Sequence, residues 1–342
     1  MTYCIHKIKD FCQVGDGAHA SIKREDLGIM YLTTKNFKSR GLDLSTLDYI
    51  SRSSYEKHFK ASKSAITTPC ANDVLLGIIG SIGVPYLVKE GETFGILSSV
   101  AILRPQQGLD AKFLFYFMRS SIFQQSVDAI KSGAAQGFLS LEMIRNLPLI
   151  GPEETVQQQI AEILSACDDL IEINNQRIAT LEQLAQQIYK EWFVRMRFPG
   201  WENTPFLHGI PIEWEVRKLS SVLVRKNFGK TYKPKEVFQE GQVVVIDQTQ
   251  GEYLGFHNSQ PEHKATIDEP IILFGDHTCK IRIMINDFSL AENIIPFTSK
   301  EISEFFVFHL IDSLVETTEY KRHWSELTSK SVFRWADNGT IL

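Results

Sequence analysis

The sequence predicts an α+β fold in which two similar β-rich units with short helices are joined by one long helix of coiled-coil type. Three observations predict it. Residues 153–196 contain neither glycine nor proline. Apolar residues recur along that stretch at alternating steps of four and three. The same order of strand-like and helix-like segments occurs on both sides of it. The boundaries follow: a first unit over 1–150, the helix over 151–198, and a second unit over 199–342.

The first unit opens with "CIHKIKDFCQVGDG". It continues through "DVLLGIIGSIGVPYLV" (73–88), "FGILSSVAILRP" (94–105) and "LDAKFLFYFMRSS" (109–121). These read as an apolar strand with a glycine bend, a second strand-like run, and a short aromatic amphipathic helix. Gly77, Gly80 and Gly83 do not match the dinucleotide fingerprint G-x-G-x-x-G, and strand-like residues follow them. They predict a tight bend between strands.

The central stretch has strong helix composition. Pro152 stands where a helix start tolerates proline, and Pro199 with Gly200 closes it. At 1.5 Å per residue such a helix is about 66 Å long, too long to lie inside one ordinary domain. Its seam runs Ile160, Leu164, Cys167, Ile171, Asn174, Ile178, Leu181, Ala185, Ile188 and Trp192, with Asn174 the polar position. Ile160, Leu164, Ile171, Asn174, Ile178, Leu181, Ile188 and Trp192 are the candidate helix-pairing residues. An amphipathic helix lying on its own unit's core is the other reading of the stripe. The aromatic end "IYKEWFV" (188–194) predicts packing of the helix on a neighbouring unit, or docking of another chain.

The second unit opens with "WEVRKLSSVLVRKNFG". It repeats the order as "EPIILFGDHTCKIRI" (269–283), "FSLAENIIPFTS" (288–299) and "EISEFFVFHLIDS" (301–313). The sequence is therefore read as a tandem duplication around a helix. Residue-by-residue similarity is weak, which predicts a shared fold and different ligands.

Net charge is −5 over the whole chain, yet 1–150 carries 17 Lys+Arg against 13 Asp+Glu. A nucleic-acid surface is thus expected as local patches rather than a basic coat. The five cysteines are scattered, which predicts neither a disulfide framework nor a zinc site. No apolar leader and no run long enough to cross a bilayer is present, so a cytoplasmic protein with no membrane association is expected. Gly229-Lys230-Thr231 lacks the glycine five positions earlier that a phosphate-binding loop requires, since Val224 stands there. No catalytic residue and no metal ligand set is identified, and the chain is expected not to be an enzyme.

The segment 147–201 resembles the central conserved region of Type I restriction-modification specificity subunits. The matching pieces are Leu147-Pro148-Leu149, Glu153-Glu154, "IAEILSACDDLIEINN" from Ile160 to Asn175, and "IYKEWFVRMRFPG" from Ile188 to Gly200. Both flanks are similar in outline to target-recognition domains. The resemblance implies that each domain reads one half of a bipartite, asymmetric double-stranded DNA site, with the helix as the ruler between them. It implies docking of two methyltransferase subunits, with restriction subunits able to join, and no cofactor of its own. S-adenosylmethionine, ATP and magnesium would belong to the partners. The family's second long helix has no counterpart before Leu342. The seam is therefore expected to be covered by a second chain: another copy, another specificity chain or a methyltransferase subunit. A truncated paralogue that pairs with a different specificity subunit and alters its target is the alternative.

DNA contacts then call for Lys and Arg toward phosphates and Arg, Lys, Asn or Gln toward base edges. In the first unit the candidates are Lys35, Asn36, Lys38 and Arg40, then Lys57, Lys60 and Lys63, then Lys131 and Gln136. In the second they are Arg225, Lys226, Lys230, Tyr232, Lys233 and Lys235, then Gln248, then His277 and Lys280, then Lys330 and Arg334.

Overall fold

The computed structural model describes residues 4–38, 41–59, 66–133, 137–249, 251, 253–300, 302–312, 314 and 322–335. The chain divides into two compact units, Met1–Asn175 and Gln176–Leu342. A single α-helix, Glu154–Tyr189, begins in the first and ends in the second. Its 36 residues rise about 54 Å.

The first unit is built on a four-stranded sheet. Strand Val100–Pro105 lies between Cys12–Asp16 and Val74–Gly77, and Pro85–Leu87 forms the far edge. All four residues of Val74–Gly77 are buried. Val74, Leu76, Ala101 and Leu103 face one core, which the helices Ala111–Arg119 and Ser121–Gly133 complete with Phe113, Leu114, Phe117, Met118, Phe123 and Val127. Leu75, Val100 and Ile102 face a second core with Tyr31, Leu32 and Ile96 of a smaller sheet. A strand covered on both faces loses the alternation of a half-exposed one. That is why "DVLLGII" reads as one apolar run.

The smaller sheet orders Asp48–Ile50, Ile29–Leu32 and Gly95–Ile96, the last pair parallel. Strand Cys4–Lys7 pairs with Pro148–Gly151 and ties the start of the unit to the lead-in of the long helix. Asp110 caps Ala111–Arg119 by accepting a hydrogen bond from Phe113 N at 2.8 Å.

The second unit repeats this plan. Its main sheet orders Leu223–Arg225, Ile294–Ser299, Ile271–Gly275 and Ile281–Met284. Each strand is the counterpart, by place in the chain and in the sheet, of one in the first unit. Its second sheet again contains a parallel pair, Val243–Ile246 with Phe288–Ala291, flanked by Gly255–His257. Helix Glu304–Asp312 covers the main sheet with Val307, Leu310 and Ile311. Strand Trp214–Lys218 pairs with Ser331–Trp335 as Cys4–Lys7 does with Pro148–Gly151. The duplication read from the sequence is thus present as a repeated strand order.

The long helix is fixed at its start by Gln157, a buried side chain. Its amide nitrogen donates to Gly108 O and Pro152 O, and its Oε1 accepts from Asp110 N. One turn on, Ala161 is buried and Ile160 packs on the same core. Further along, Asp168 Oδ2 accepts from Tyr116 Oη at 2.9 Å and from Arg119 Nη1 at 3.0 Å. The α-helix stops at Tyr189 rather than running to Met196 as the composition suggests. A wider turn, Lys190–Val194, follows, and Met196 has φ 57°. In that turn Tyr189 and Phe193 stack at 5.5 Å, and both rings meet Phe306. Aromatic packing within the second unit therefore sets the end of the helix.

Asp73 is a buried carboxylate in the first unit. Arg104 grips it with two hydrogen bonds of 2.8 and 2.7 Å. Removing one partner strands the other charge inside the protein. Arg104→Met should therefore cost about 3 kcal/mol, read as a lowered urea midpoint in far-ultraviolet circular dichroism. An unchanged midpoint would mean that the pair contributes nothing.

Candidate nucleic-acid interface

In both units one edge combines two loops. In the first unit the loop after strand Ile29–Leu32 turns through Thr34–Asn36 and a two-residue hairpin, Phe37–Lys38 with Gly41–Leu42. It packs against the glycine bend that follows Val74–Gly77. A Cβ on Gly77 would lie 3.5 Å from Thr34 Cγ2, and one on Gly80 would lie 3.3 Å from Thr34 Oγ1. Gly80 and Gly83 take φ of 78° and 86°, the left-handed region that glycine tolerates. The three glycines thus form the predicted bend between strands.

Asn36 is the organiser of the loop rather than a reader of bases. Its amide nitrogen donates to Asp43 O and Thr46 O, and its Oδ1 accepts from Thr33 N. It is buried, with both donors engaged, and this corrects the sequence expectation. Lys35 and Lys38 remain exposed on the same loop.

In the second unit the equivalent loop follows Val243–Ile246 and lies beside the bend after Ile271–Gly275. Thr278 Oγ1 donates to Gln248 O at 2.8 Å, and His277 N donates to Gln248 Oε1 at 3.2 Å. Lys280 Nζ donates to Thr249 O at 2.9 Å and to Gly251 O at 3.2 Å. Arg282 reaches the same two carbonyls. The sequence reading missed Arg282 and Thr249. The available signal was the spacing Lys280-x-Arg282 at the start of strand Ile281–Met284, since residues two apart in extended chain share a face.

The other candidates are exposed, engaged with carboxylates or outside the described residues, and Lys233 is both of the first two. Exposed on the surface are Lys57, on helix Arg52–His58, and Arg225, Lys226, Lys233 and Lys235. Engaged with carboxylates are Lys131 with Asp128 at 2.9 Å, Lys230 with Glu236 at 3.7 Å, Lys233 with Glu292 at 3.9 Å and Lys330 with Glu326 at 4.0 Å. Arg40, Lys60, Lys63 and Gln136 lie outside the described residues, and of Arg334 only the backbone is described.

Tyr232 is also corrected, because it is a buried packing residue. It stacks on His257 at 4.3 Å with 6° between the planes, and Lys230 Nζ sits 4.4 Å from its ring centroid. His257 Nε2 lies 2.8 Å from Ser289 Oγ, and its Nδ1 accepts from Ser259 N. His263 stacks on Phe288 at 4.9 Å, with Nε2 3.1 Å from Phe228 O. Burial holds both imidazoles below the ordinary histidine range, and the Lys230 charge lowers His257 further.

On the long helix the predicted seam is widened along its length and occupied at its ends. Ile160 packs on the first unit's core, and Trp192 is half-buried in the turn beside Phe193. Leu164, Ile171, Asn174, Ile178, Leu181 and Ile188 are exposed, as are Ile163, Leu170, Ile173 and Leu184. The large apolar side chains among them are 39–67% exposed, so neither unit's core absorbs the stripe between its ends. Among the described residues no helix is long and apolar enough to cross a membrane, and no three His, Cys, Asp or Glu side chains cluster as a metal would require.

Two β-rich units on one plan, bridged by a single helix, define a class of tandem-domain scaffold. A family model described as the Type I restriction modification DNA specificity domain matches residues 2–183, and the chain belongs to that family. The Type I restriction enzyme MjaIX specificity subunit of Methanocaldococcus jannaschii is 26% identical over 248 residues, 69% of this chain and 55% of the relative. The MjaVIII specificity subunit of the same organism is 30% identical over 177 residues, 50% of this chain and 39% of the relative. The chain thus spans about half, or less, of the length of these curated relatives. The crystal structure of a Type-I restriction-modification system S subunit from M. genitalium shares the fold. Its TM-score is 0.56 at 15% identity, over 98% of this chain and 85% of that one.

All five tryptophans lie beyond residue 190, so tryptophan fluorescence reports on the second unit alone. Below pH about 6.5 the unfolded chain takes up protons that neutral, buried His257 and His263 refuse. The melting temperature read by tryptophan fluorescence should therefore be highest above that pH and fall as the pH is lowered toward 5. His263→Gln should flatten the dependence, and an equally steep fall in that variant would remove His263 as a cause.

Proposed function

We propose that the chain reads double-stranded DNA sequence-specifically as the specificity subunit of a Type I restriction-modification assembly, with each unit taking one half of a split site. The repeated paired-loop edge carries this reading. The loops occupy the same place in both units but differ in content: Lys35 and Lys38 in the first, Gln248, Thr249 and His277 in the second. Cations of this kind engage phosphates, and amides engage base edges in the major groove. Unequal loops on equal scaffolds make the two half-sites different, so the whole site is asymmetric. In this reading the helix Glu154–Tyr189 serves as the spacer over the unread gap.

The chain performs no chemistry in this assignment. It docks methyltransferase subunits, which supply S-adenosylmethionine. Restriction subunits bring the steps that need ATP and magnesium. Lys57, Arg225, Lys226, Lys233 and Lys235 serve as phosphate contacts outside the loops. A host expressing this chain with its methyltransferase should show adenine methylation confined to one split motif with a constant spacer. Methylation spread over unrelated sequences, or a contiguous palindromic motif, refutes the assignment.

The exposed stripe on the helix is a pairing surface for another helix, supplied by a second copy of the chain or another specificity chain. Each large apolar side chain covered there is worth about 1.5–3 kcal/mol, while Asn174 fixes register at a cost in stability. Sedimentation at micromolar concentration should show a self-associated species that Ile171→Glu with Ile178→Glu converts to monomer. A wild-type chain that is already monomeric removes self-pairing.

A further inference from the structure

We propose that residues 247–249 and 251 form the base-reading element of the second unit, and that Lys280 and Arg282 are positioning residues that hold it in its reading conformation. The inference deepens the DNA-reading assignment and rests on it.

Thr249 and Gly251 are exposed, and no core requires them in a particular place. Yet two cationic side chains converge on the same two carbonyls, Thr249 O and Gly251 O. Asp247 adds local order: its Oδ1 accepts from Thr249 N at 3.2 Å and from Thr249 Oγ1 at 2.9 Å. From the other side Gln248 is held by Thr278 and His277. Fixing a solvent-facing loop this heavily costs conformational entropy with no gain in buried apolar area. Preorganisation for a ligand is what such rigidity supplies.

The first unit makes the same investment at the same place with unrelated chemistry, through the saturated Asn36 amide and the contact of Thr34 with the glycine bend. A loop that keeps its place and its rigidity while changing its content is the one where two units on one plan differ in what they recognise. Lys280 therefore acts on the loop backbone and not directly on the DNA, which revises its role as a contact residue.

The experiment sequences methylated adenines in a host carrying the full chain with its methyltransferase, comparing wild type, Thr249→Ala, and Lys280→Met with Arg282→Met. The expected result is that one half of the split motif broadens, losing discrimination by about tenfold at one or more positions, while the other half and the spacer stay as in wild type. Thr249→Ala sits at the exposed loop and leaves the fold intact, so it keeps the test decisive if the double variant unfolds. Both half-sites surviving unchanged in Thr249→Ala, or in a folded double variant, overturns the loop assignment alone. An absence of any split motif in wild type overturns the DNA-reading assignment and the loop with it. A uniform fall in methylation without change of motif assigns Lys280 and Arg282 to affinity and also overturns the proposal.

Discussion

Each unit depends on a four-stranded sheet with both faces buried. Val74, Leu76, Ala101 and Leu103 support the helices on one side, while Leu75, Val100 and Ile102 support the second sheet on the other. Ile272 and Phe274 against Ile271 and Leu273 do the same in the second unit. With both faces occupied, a one-residue slip of either central strand would exchange its two sets of contacts. The register is therefore fixed, and so is the place where the bends after Val74–Gly77 and Ile271–Gly275 emerge. The loops beside those bends inherit their position from the sheet, which leaves their sequences free to vary.

Much of this architecture was legible because burial writes directly into composition. The runs "DVLLGII" and "EPIILFG" are apolar without alternation since they are covered on both sides, and the long helix declares itself by lacking glycine and proline. The parallel pairs were not legible. Gly95–Ile96 is a two-residue strand, and its partnership with Ile29–Leu32 is set by tertiary packing rather than by any local pattern. The end of the helix was misplaced for a related reason. Tyr189 and Phe193 are compatible with continued helix, and their contacts with Phe306, more than a hundred residues away, show that they serve packing instead.

Among the candidate contact residues, exposure was legible in places and engagement was not. Lys35 and Lys38 stand in the open as their charge suggests, whereas Asn36 between them turns inward to satisfy backbone carbonyls. A short amide in a turn can bond its own loop or a ligand, and sequence cannot say which. Tyr232 poses the same difficulty, because a tyrosine among lysines suits a nucleic-acid face as well as it suits a stack on His257. Position in the fold separates the alternatives: loops that face solvent yet are internally bonded stand apart from charges that are merely exposed.

The Gln157 latch has a consequence for how the chain comes to be folded. Starting an α-helix is the costly step, and extending it is easy. Three hydrogen bonds from one side chain, with Ala161 and Ile160 seated on a finished core, place that start on a surface complete within the first 175 residues. A ribosome delivers those residues first. The nascent polypeptide therefore has a template from which the rod can grow before the second half has been translated. Its greasy flank meets solvent early, while the remaining residues are still being synthesised.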